Sequence, residues 1–460
     1  MTRFWRFAAV LCTLCVALAA MAVGASAAKP NGARLDTHYG RDGGFTVPTP
    51  KSDSTVQAPA HLAVAPSNRA YVQQGSWVVA FNADGKPDSR FGNHGRMVVS
   101  PHTGQLVEVT GVAVDSQNRV LVAGSLEPIP GLLPKPIKGE AEPTVTQPHP
   151  VREAFVMRYL PNGTLDPTFG NGGEVDTTFN VPRTLGGQSR PAEYERPSVT
   201  AVHIAVDAED RPVIAGKFVA RIEGCFYKSE VNQAIVARLN ADGSLDTSFG
   251  TGGYATIASE TPIGLAAAPG GVWTTLSGPE VCEHGTNGIP TQLSVLSETG
   301  QTLPTLDAAR PTLHAAEEVL AVDQMGRVYW TERGEIEPGP PRVIRLLANG
   351  DLDTSFGKGG AVGLKNLGAS SVGAIAVDGK GRIVAGFGSS QFEVTRLTEA
   401  GRIDKSFAKH GVVASRLGSA TRLQALAFDS KGRIVAAGLA TGSGVKDGNG
   451  ISIARFLPGK

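Results

Sequence analysis

Neither sign of charge predominates in this chain, and charged residues are few. Lys and Arg number 43 against 42 Asp and Glu, which gives a formal net charge of +1. There is therefore no electrostatic case for nucleic acid or an anionic lipid surface as the main partner. The charged fraction is 18% and the hydrophobic fraction 41%, a combination that excludes an intrinsically disordered chain, which needs high charge and low hydrophobicity.

Cysteine is also scarce, and two of the four cysteines, Cys12 and Cys15, lie in an N-terminal leader pattern. Arg3 and Arg6 precede an apolar run over residues 7–23, and small residues at 25–27 form a cleavage site. This predicts a signal peptide over residues 1–27. The alternative is a membrane anchor, although about 17 residues is at the lower limit for a spanning helix. We expect a protein secreted to the cell envelope or medium, with no stable membrane insertion after cleavage.

The remaining two cysteines, Cys225 and Cys282, could form a disulfide in an oxidising compartment. The alternative is two free or buried thiols. Their spacing fits no zinc-binding pattern, which would need four close ligands.

Glycine, by contrast, is abundant (57 of 460 residues), and much of it lies in a repeated stretch. The copies are "RYLPNGTLDPTFGNGG" from Arg158, "RLNADGSLDTSFGTGG" from Arg238, "RLLANGDLDTSFGKGG" from Arg345 and "RLTEAGRIDKSFAKHG" from Arg396. Each unit also has an apolar strand, a four-residue turn and a returning strand; in "ALAFDSKGRIVAAG" the turn runs from Asp429 to Gly432. We therefore expect each unit to form four antiparallel strands.

Seven such first strands can be counted, and the second residue of each is alanine. These alanines are Ala63, Ala113, Ala205, Ala266, Ala321, Ala376 and Ala427. Small residues in one register are typical of strands that converge on an axis. We therefore expect one all-β domain over residues 28–460, a seven-bladed β-propeller of four-stranded antiparallel blades. A series of separate β domains would need linkers, and none separates the units.

The last unit ends at "SIARFLPGK" without a fourth strand, whereas residues 33–44, "ARLDTHYGRDGG", match the missing piece. We expect the N-terminal strand to join the C-terminal blade and close the ring, which removes an exposed sheet edge. We also expect a monomer.

The units resemble the bacterial delta-60 repeat, whose signature residues 165–173 carry as "LDPTFGNGG", and they are similar to NHL-type repeats. The resemblance covers about residues 33–460 and is weakest in the first and fourth units. It implies a propeller fold and export. The resemblance does not assign an activity to any individual residue of this chain.

In the four copies an arginine precedes an aspartate by eight residues, for example Arg158 and Asp166. Arg455 would meet Asp36 through the ring closure. We expect one structural ion pair per blade across the turn between strands three and four, with a contribution of about 1 kcal/mol or less if the pair is exposed. The alternative is a ring of charges for a ligand, which the peripheral place of the motif disfavours.

No catalytic, cofactor-binding or metal-binding motif is present in the sequence. Polar candidates at the axis are His61 and His203, which precede the first strands of units one and three, and Glu317 and Glu318 at the equivalent place in unit five. They could contribute to an axial metal or acid–base site, but simple packing explains most such residues.

Connections of very different length are predicted on one face of the ring, at residues 125–153, 180–198, 217–233, 278–290 and 440–450. Insertions on one face of a repeat array either mark a binding surface or are neutral variation that surface loops tolerate. We expect a non-catalytic binding or scaffold module for a protein or glycan, without a cofactor. The alternative is a propeller enzyme, a lyase or hydrolase, with an axial active site.

Overall fold

The computed structural model describes most of the repeated units. The described residues are 32–48, 61–100, 105–128, 153–177, 198–224, 227–257, 261–268, 271–277, 291–302, 320–332, 340–367, 369, 371–388, 390–408, 410–415, 417, 420–441 and 449–459. The predicted signal peptide lies outside them. Among the described residues, no helix is long and apolar enough to cross a membrane.

The described strands form antiparallel sheets, which are numbered here in chain order. Sheet 1 contains β3 (His61–Val64), β4 (Ala70–Gln74), β5 (Trp77–Phe81) and β6 (Arg96–Val98). Sheet 2 contains β7 (Gln105–Val114), β8 (Val120–Pro128), β9 (Glu153–Tyr159) and β10 (Glu174–Thr177). Sheet 3 contains β11 (Ser198–Val206), β12 (Pro212–Gly224), β13 (Tyr227–Arg238) and β14 (Tyr254–Ile257). Sheet 4 contains β15 (Thr261–Ala268), β16 (Gly271–Ser277) and β17 (Thr291–Ser297).

The second half of the chain continues the pattern. Sheet 5 contains β18 (Leu320–Val322), β19 (Val328–Glu332), β20 (Arg342–Leu346) and β21 (Ala361–Gly363). Sheet 6 follows a short 3-10 turn (Lys365–Leu367) and contains β22 (Ala374–Val377), β23 (Ile383–Phe387), β24 (Phe392–Leu397) and β25 (Val412–Ser415). Sheet 7 contains β26 (Ala420–Phe428), β27 (Ile434–Thr441), β28 (Asn449–Leu457) and the N-terminal strands β1 (Arg34–Leu35) and β2 (Gly44–Pro48).

The molecule is an all-β propeller with four-stranded antiparallel blades. Six sheets have at least four strands, so the prediction of seven four-stranded blades is wrong by one. The exception is sheet 4, which has three strands within the described residues. Its sequence after β17 lacks the Asp, Phe and Gly residues that shape the fourth strand elsewhere.

The first strands of the sheets contact one another in chain order, from β3 through β7, β11, β15, β18 and β22 to β26, and β26 also contacts β3. The hydrophobic clusters lie between neighbouring sheets. Tyr71 and Phe91 of sheet 1 pack with Val122 and Phe155 of sheet 2, for example. Ala63 packs on that side, whereas Leu62 packs toward sheet 7. The alternation of small and large residues along the first strand therefore fills two different junctions.

Both N-terminal strands pair with β28. The Cα partners are Arg34 with Leu457 in β1 and Gly44 with Ala454 in β2. The ion pair predicted between the two ends of the chain is present, because Nε of Arg455 donates to Oδ2 of Asp36 at 2.9 Å.

Residues 217–233 do not form the irregular loop that the sequence predicts. β12 and β13 pair without interruption from Val213–Arg238 to Gly224–Tyr227, so residues 217–224 and 227–233 are the two strands of a long β-hairpin. At about 3.3 Å per residue, its outer part extends well beyond the short strands of sheets 1 and 6. The hydrophobic alternation of this segment is irregular, which explains why the strand was missed.

Candidate functional site

The two ends of the propeller differ in how their connections are built. At one end, here called the turn face, short turns join the first strand of a sheet to the second, as at residues 115–119, and the third to the fourth, as at residues 160–164. The opposite end, here called the loop face, carries the starts of the first strands and the ends of the second strands. The connections of variable length leave the sheets at the loop face.

The turns between first and second strands are built around an aspartate. The carboxylate of Asp115 accepts the backbone N–H groups of Gln117 and Arg119 at 3.0 and 2.8 Å, and it pairs with Nε of Arg119 at 2.5 Å. The same arrangement recurs at Asp207, Asp323, Asp378 and Asp429.

Some of these turns also bind the next sheet. Ser116 of sheet 2 donates its N–H and its hydroxyl to the carboxylate of Asp210 of sheet 3, at 2.7 and 2.6 Å. Ser430 of sheet 7 bonds Asn68 of sheet 1 in the same way. Asn68 and Asp210 have positive φ values of 66° and 60°, a strained conformation for residues other than glycine. The turn face therefore uses its polar groups to hold sheets together.

The arginines of the repeated stretch also join neighbouring sheets. Arg158 contacts Asp166 through Nε at 2.8 Å and Thr168 through Nη2 at 3.1 Å, and it lies over the ring of Phe169. Its Nη1 donates to the backbone carbonyl of Ala241 in sheet 3. Equivalent bonds reach the next sheet from Arg238, Arg345, Arg396 and Arg455.

The predicted structural ion pairs are present, and they are buried, so the figure of about 1 kcal/mol for an exposed pair does not apply to them. Arg158 and Asp166 are each 2% exposed, because the third-to-fourth-strand turn of the next sheet covers them. Burial alone would raise the pKa of Asp166, but hydrogen bonds from Thr168 and the charge of Arg158 outweigh it and hold that pKa below its usual range.

Sheet 1 lacks the usual arginine, since Ala80 stands in its place, and it also lacks the usual turn aspartate, replaced by Ala65. The arginine of the first turn, Arg69, and the aspartate of the repeated stretch, Asp88, therefore bind each other. Nη2 of Arg69 lies 2.6 Å from Oδ2 of Asp88, and Nη1 of Arg69 donates at 2.7 Å to the carbonyl of Pro161 in sheet 2. The arginine-to-carbonyl bond between sheets is thus kept by a different residue.

The loop face contains the polar residues predicted near the axis. His61 is the first residue of β3, and His203 lies in β11 directly after an irregularity in the strand register between Ala201 and His203. Although sheet 2 separates their sheets in chain order, the two imidazole rings lie edge to face with their centroids 6.5 Å apart. The structure therefore brings together the two histidines that the sequence singled out.

Glycine at position 111 makes this approach possible. Gly111 precedes Val112 as His61 precedes Leu62 and His203 precedes Ile204, so it occupies the equivalent place in sheet 2. A Cβ at Gly111 would lie 3.0 Å from Cγ2 of Ile204 and 3.3 Å from its backbone nitrogen. A side chain at this position would therefore be tight, and Ile204, which follows His203, would have to shift by a few tenths of an ångström.

Gln73 is a further polar residue at this end, and no motif in the sequence identifies it. It is the Cα partner of His61 and is 1% exposed. Its Nε2 donates to the carbonyls of Gly75 and Val109 at 2.7 and 3.0 Å, while Oε1 is buried without a hydrogen-bond partner. Sheets 2, 3 and 7 carry alanine at the paired position, namely Ala123, Ala215 and Ala437. The contrast between a glutamine in unit one and alanine in these other units is the sequence feature that could have identified Gln73.

Burial lowers the pKa of His61 from its usual 6.5 to about 4, so its imidazole is neutral at physiological pH. The other predicted site residues, Cys225, Cys282, Glu317 and Glu318, lie outside the described residues. Within the described part of the chain, no group of three or more His, Cys, Asp or Glu side chains could hold a metal ion.

Comparison with known proteins supports the fold. The model of a family described as a domain of unknown function (DUF5122) beta-propeller matches residues 150–169, 213–249 and 340–356. Each matched segment contains one copy of the buried arginine and aspartate. No curated protein matches the chain.

Solved structures with similar shape are distant in sequence. A chain of the mitotic checkpoint complex is 11% identical with a TM-score of 0.43, over 94% of this chain and 96% of that chain. A Trypanosoma rangeli sialidase in complex with sialic acid is 9% identical with a TM-score of 0.43, over 92% of this chain and 57% of that one. The Dos1 propeller is 8% identical with a TM-score of 0.42, over 89% and 95% of the two chains. At these scores, the similarities carry no information about ligand or chemistry.

Proposed function

We propose that this chain is an exported β-propeller that binds a protein or glycan partner through its loop face and catalyses no reaction. The observation that carries the proposal is the contrast between the two faces. At the turn face, side chains such as Asp115, Ser116 and Arg158 are engaged within or between sheets. At the loop face, second strands range from the five residues of β4 to the thirteen of β12.

Strands of unequal length give the loop face an uneven surface, which a ring of identical units would not have. Binding residues are disproportionately found on variable connections held by a rigid scaffold. The sheets supply that scaffold, because their junctions are apolar and their turns are hydrogen-bonded.

The proposal includes closure of the ring by the N-terminal strands and removal of residues 1–27 on export. Pairing of β1 and β2 with β28, together with the contact between β26 and β3, supports the closure. The repeats also support membership among delta-60-type propellers.

The experiment compares three forms of the mature chain as bait against a glycan array and against cell-wall and culture-supernatant fractions. The first is the natural sequence. In the second, residues 220–231 are replaced by Asn-Gly. Val219 and Asn232 are Cα partners, so this two-residue turn can close the shortened hairpin. The third is the turn-face variant Met325→Glu, at a side chain that is 59% exposed.

The proposal expects a ligand that the natural chain and the Met325→Glu variant retain and the shortened hairpin loses or binds more weakly. Equal retention by the shortened chain and loss by Met325→Glu would place binding on the turn face and refute the proposal. Turnover of a retained glycan by the natural chain would favour the alternative, a propeller enzyme.

A further inference from the structure

We propose that His61 and His203 bind a divalent late transition-metal ion at the loop-face end of the axis, with Oε1 of Gln73 as a third donor. The first argument is position. Two side chains from sheets that are not consecutive in the chain meet at 6.5 Å between ring centroids. The corresponding residues of sheets 2, 4, 6 and 7 are small, namely Gly111, Gly264, Ala374 and Ala425.

The second argument is the state of Gln73. Its side chain is held on both sides of the junction, by Gly75 of its own sheet and Val109 of sheet 2. These bonds fix the amide nitrogen and leave the oxygen buried without a hydrogen-bond donor. A buried acceptor without a partner is unfavourable, and a cation would satisfy it. Because Gln73 pairs directly with His61, the two side chains lie on the same face of sheet 1.

The third argument is geometric and chemical. With metal–nitrogen bonds of ~2.0–2.1 Å, an ion shared by two imidazoles holds their ring centroids at about 5–6 Å. The two rings need to approach by about 1 Å, which side-chain rotation can supply. Two imidazole nitrogens and one amide oxygen suit Cu²⁺, Ni²⁺ or Zn²⁺, and among these Cu²⁺ is expected to bind most tightly. Oxygen atoms of water or of a bound partner would complete the coordination.

The test titrates the purified mature chain with CuCl₂ and, separately, with ZnCl₂ in a non-coordinating buffer, using isothermal calorimetry and equilibrium dialysis. The variants are His61→Ala, His203→Ala, the double variant and Gln73→Leu. The matched control is His38→Ala, because the His38 side chain is 95% exposed on the rim. Electron paramagnetic resonance of the Cu²⁺-loaded natural chain counts coordinating nitrogens without relying on any variant.

We expect the natural chain to bind one ion per chain more than the double variant does, with a spectrum from two imidazole nitrogens. Loss of even an outer-shell partner typically costs 10–100-fold in metal affinity, so each histidine variant should lose at least about 100-fold. Gln73→Leu should lose about 10-fold, and His38→Ala should bind as the natural chain does. Equal Cu²⁺ stoichiometry in the natural chain and the double variant, or a spectrum without two imidazole nitrogens, would overturn the proposal.

Discussion

Removing the charge of Arg158 is the change that most directly tests how the sheets are held together. Arg158→Ala deletes the contacts to Asp166, Thr168 and the carbonyl of Ala241, and it removes the cation above Phe169 at 4.5 Å. The carboxylate of Asp166 then remains buried with the hydrogen bond from Thr168 at 2.6 Å and Nη1 of Arg119 at 3.7 Å.

The expected loss of stability follows from the burial. Breaking one half of a buried ion pair typically costs about 3–5 kcal/mol, because the other charge is left uncompensated. Since Arg119 and Thr168 still stabilise Asp166, we expect about 3 kcal/mol for Arg158→Ala. The double variant Arg158→Val/Asp166→Leu copies Val295 and Leu303 of the fourth unit. It removes both charges together and should cost no more than Arg158→Ala.

The assay is urea unfolding followed by intrinsic fluorescence, with hydrogen exchange of residues 240–244 as a local measure of the junction between sheets 2 and 3. The control is Lys86→Ala, whose exposed partner Asp84 lies 3.4 Å away. That variant should cost less than about 1 kcal/mol. A cost for Arg158→Ala as small as that of Lys86→Ala, or a double variant that costs more than Arg158→Ala, would show that the pair does not act as a buried unit.

Three further predictions concern the same framework. Hydrogen bonds and arginine charges outweigh burial and lower the pKa of several aspartates, among them Asp88, Asp246, Asp353 and Asp404. Their contribution is therefore complete above the unfolded pKa of about 3.9 and is lost as pH falls through the folded values. Because burial lowers the pKa of His61 from 6.5 to about 4, its neutral imidazole costs stability as pH falls from about 6.5. The urea midpoint should therefore start to fall near pH 6.5 and keep falling below about pH 4, where the aspartates lose their contribution. Arg69→Ala should destabilise sheet 1 in urea unfolding, and adding Ala80→Arg should restore stability by rebuilding the usual pair with Asp88. Gly243→Ala should destabilise the protein more than Gly252→Ala in the same assay. Both glycines have positive φ, but only a Cβ at Gly243 would lie 2.8 Å from a backbone nitrogen, that of Gly170. Equal losses of stability in the two variants would argue against close packing of the turn at Gly243.

Most of the fold could be predicted because each unit repeats the same order of short apolar strands and tight turns. The position of every first strand was correct, since a short apolar run followed by an Asp-centred turn has few alternatives. The pairing of the chain ends was also predictable, because residues 33–44 supply what the last unit lacks. The sequence of a single unit could not show that its arginine–aspartate pair is buried. The group that covers Arg158 is the carbonyl of Ala241, which belongs to the next sheet.

The axial site could be predicted only in part, for a related reason. His61 and His203 were singled out by their place before the first strand. Their separation of 6.5 Å depends on the small residue at Gly111 and on the register shift in β11. Gln73 lies in the second strand of unit one and shares no motif with either histidine. Its relation to the site comes entirely from strand pairing.

The repeat also explains why one junction differs from the others. At the junction of sheets 5 and 6, Nη1 of Arg345 and the N–H of Gly357 donate to successive carbonyls, Glu399 and Ala400. Sheet 4 carries Val295 in place of the arginine, so it cannot make the first of these bonds to sheet 5. In the described residues, Val295 instead packs with Val328, Trp330 and Leu346 of sheet 5. Apolar contact is less directional than an arginine–carbonyl bond. Within the described residues, this junction therefore lacks the orientational constraint that the arginine supplies where the repeat sequence is preserved.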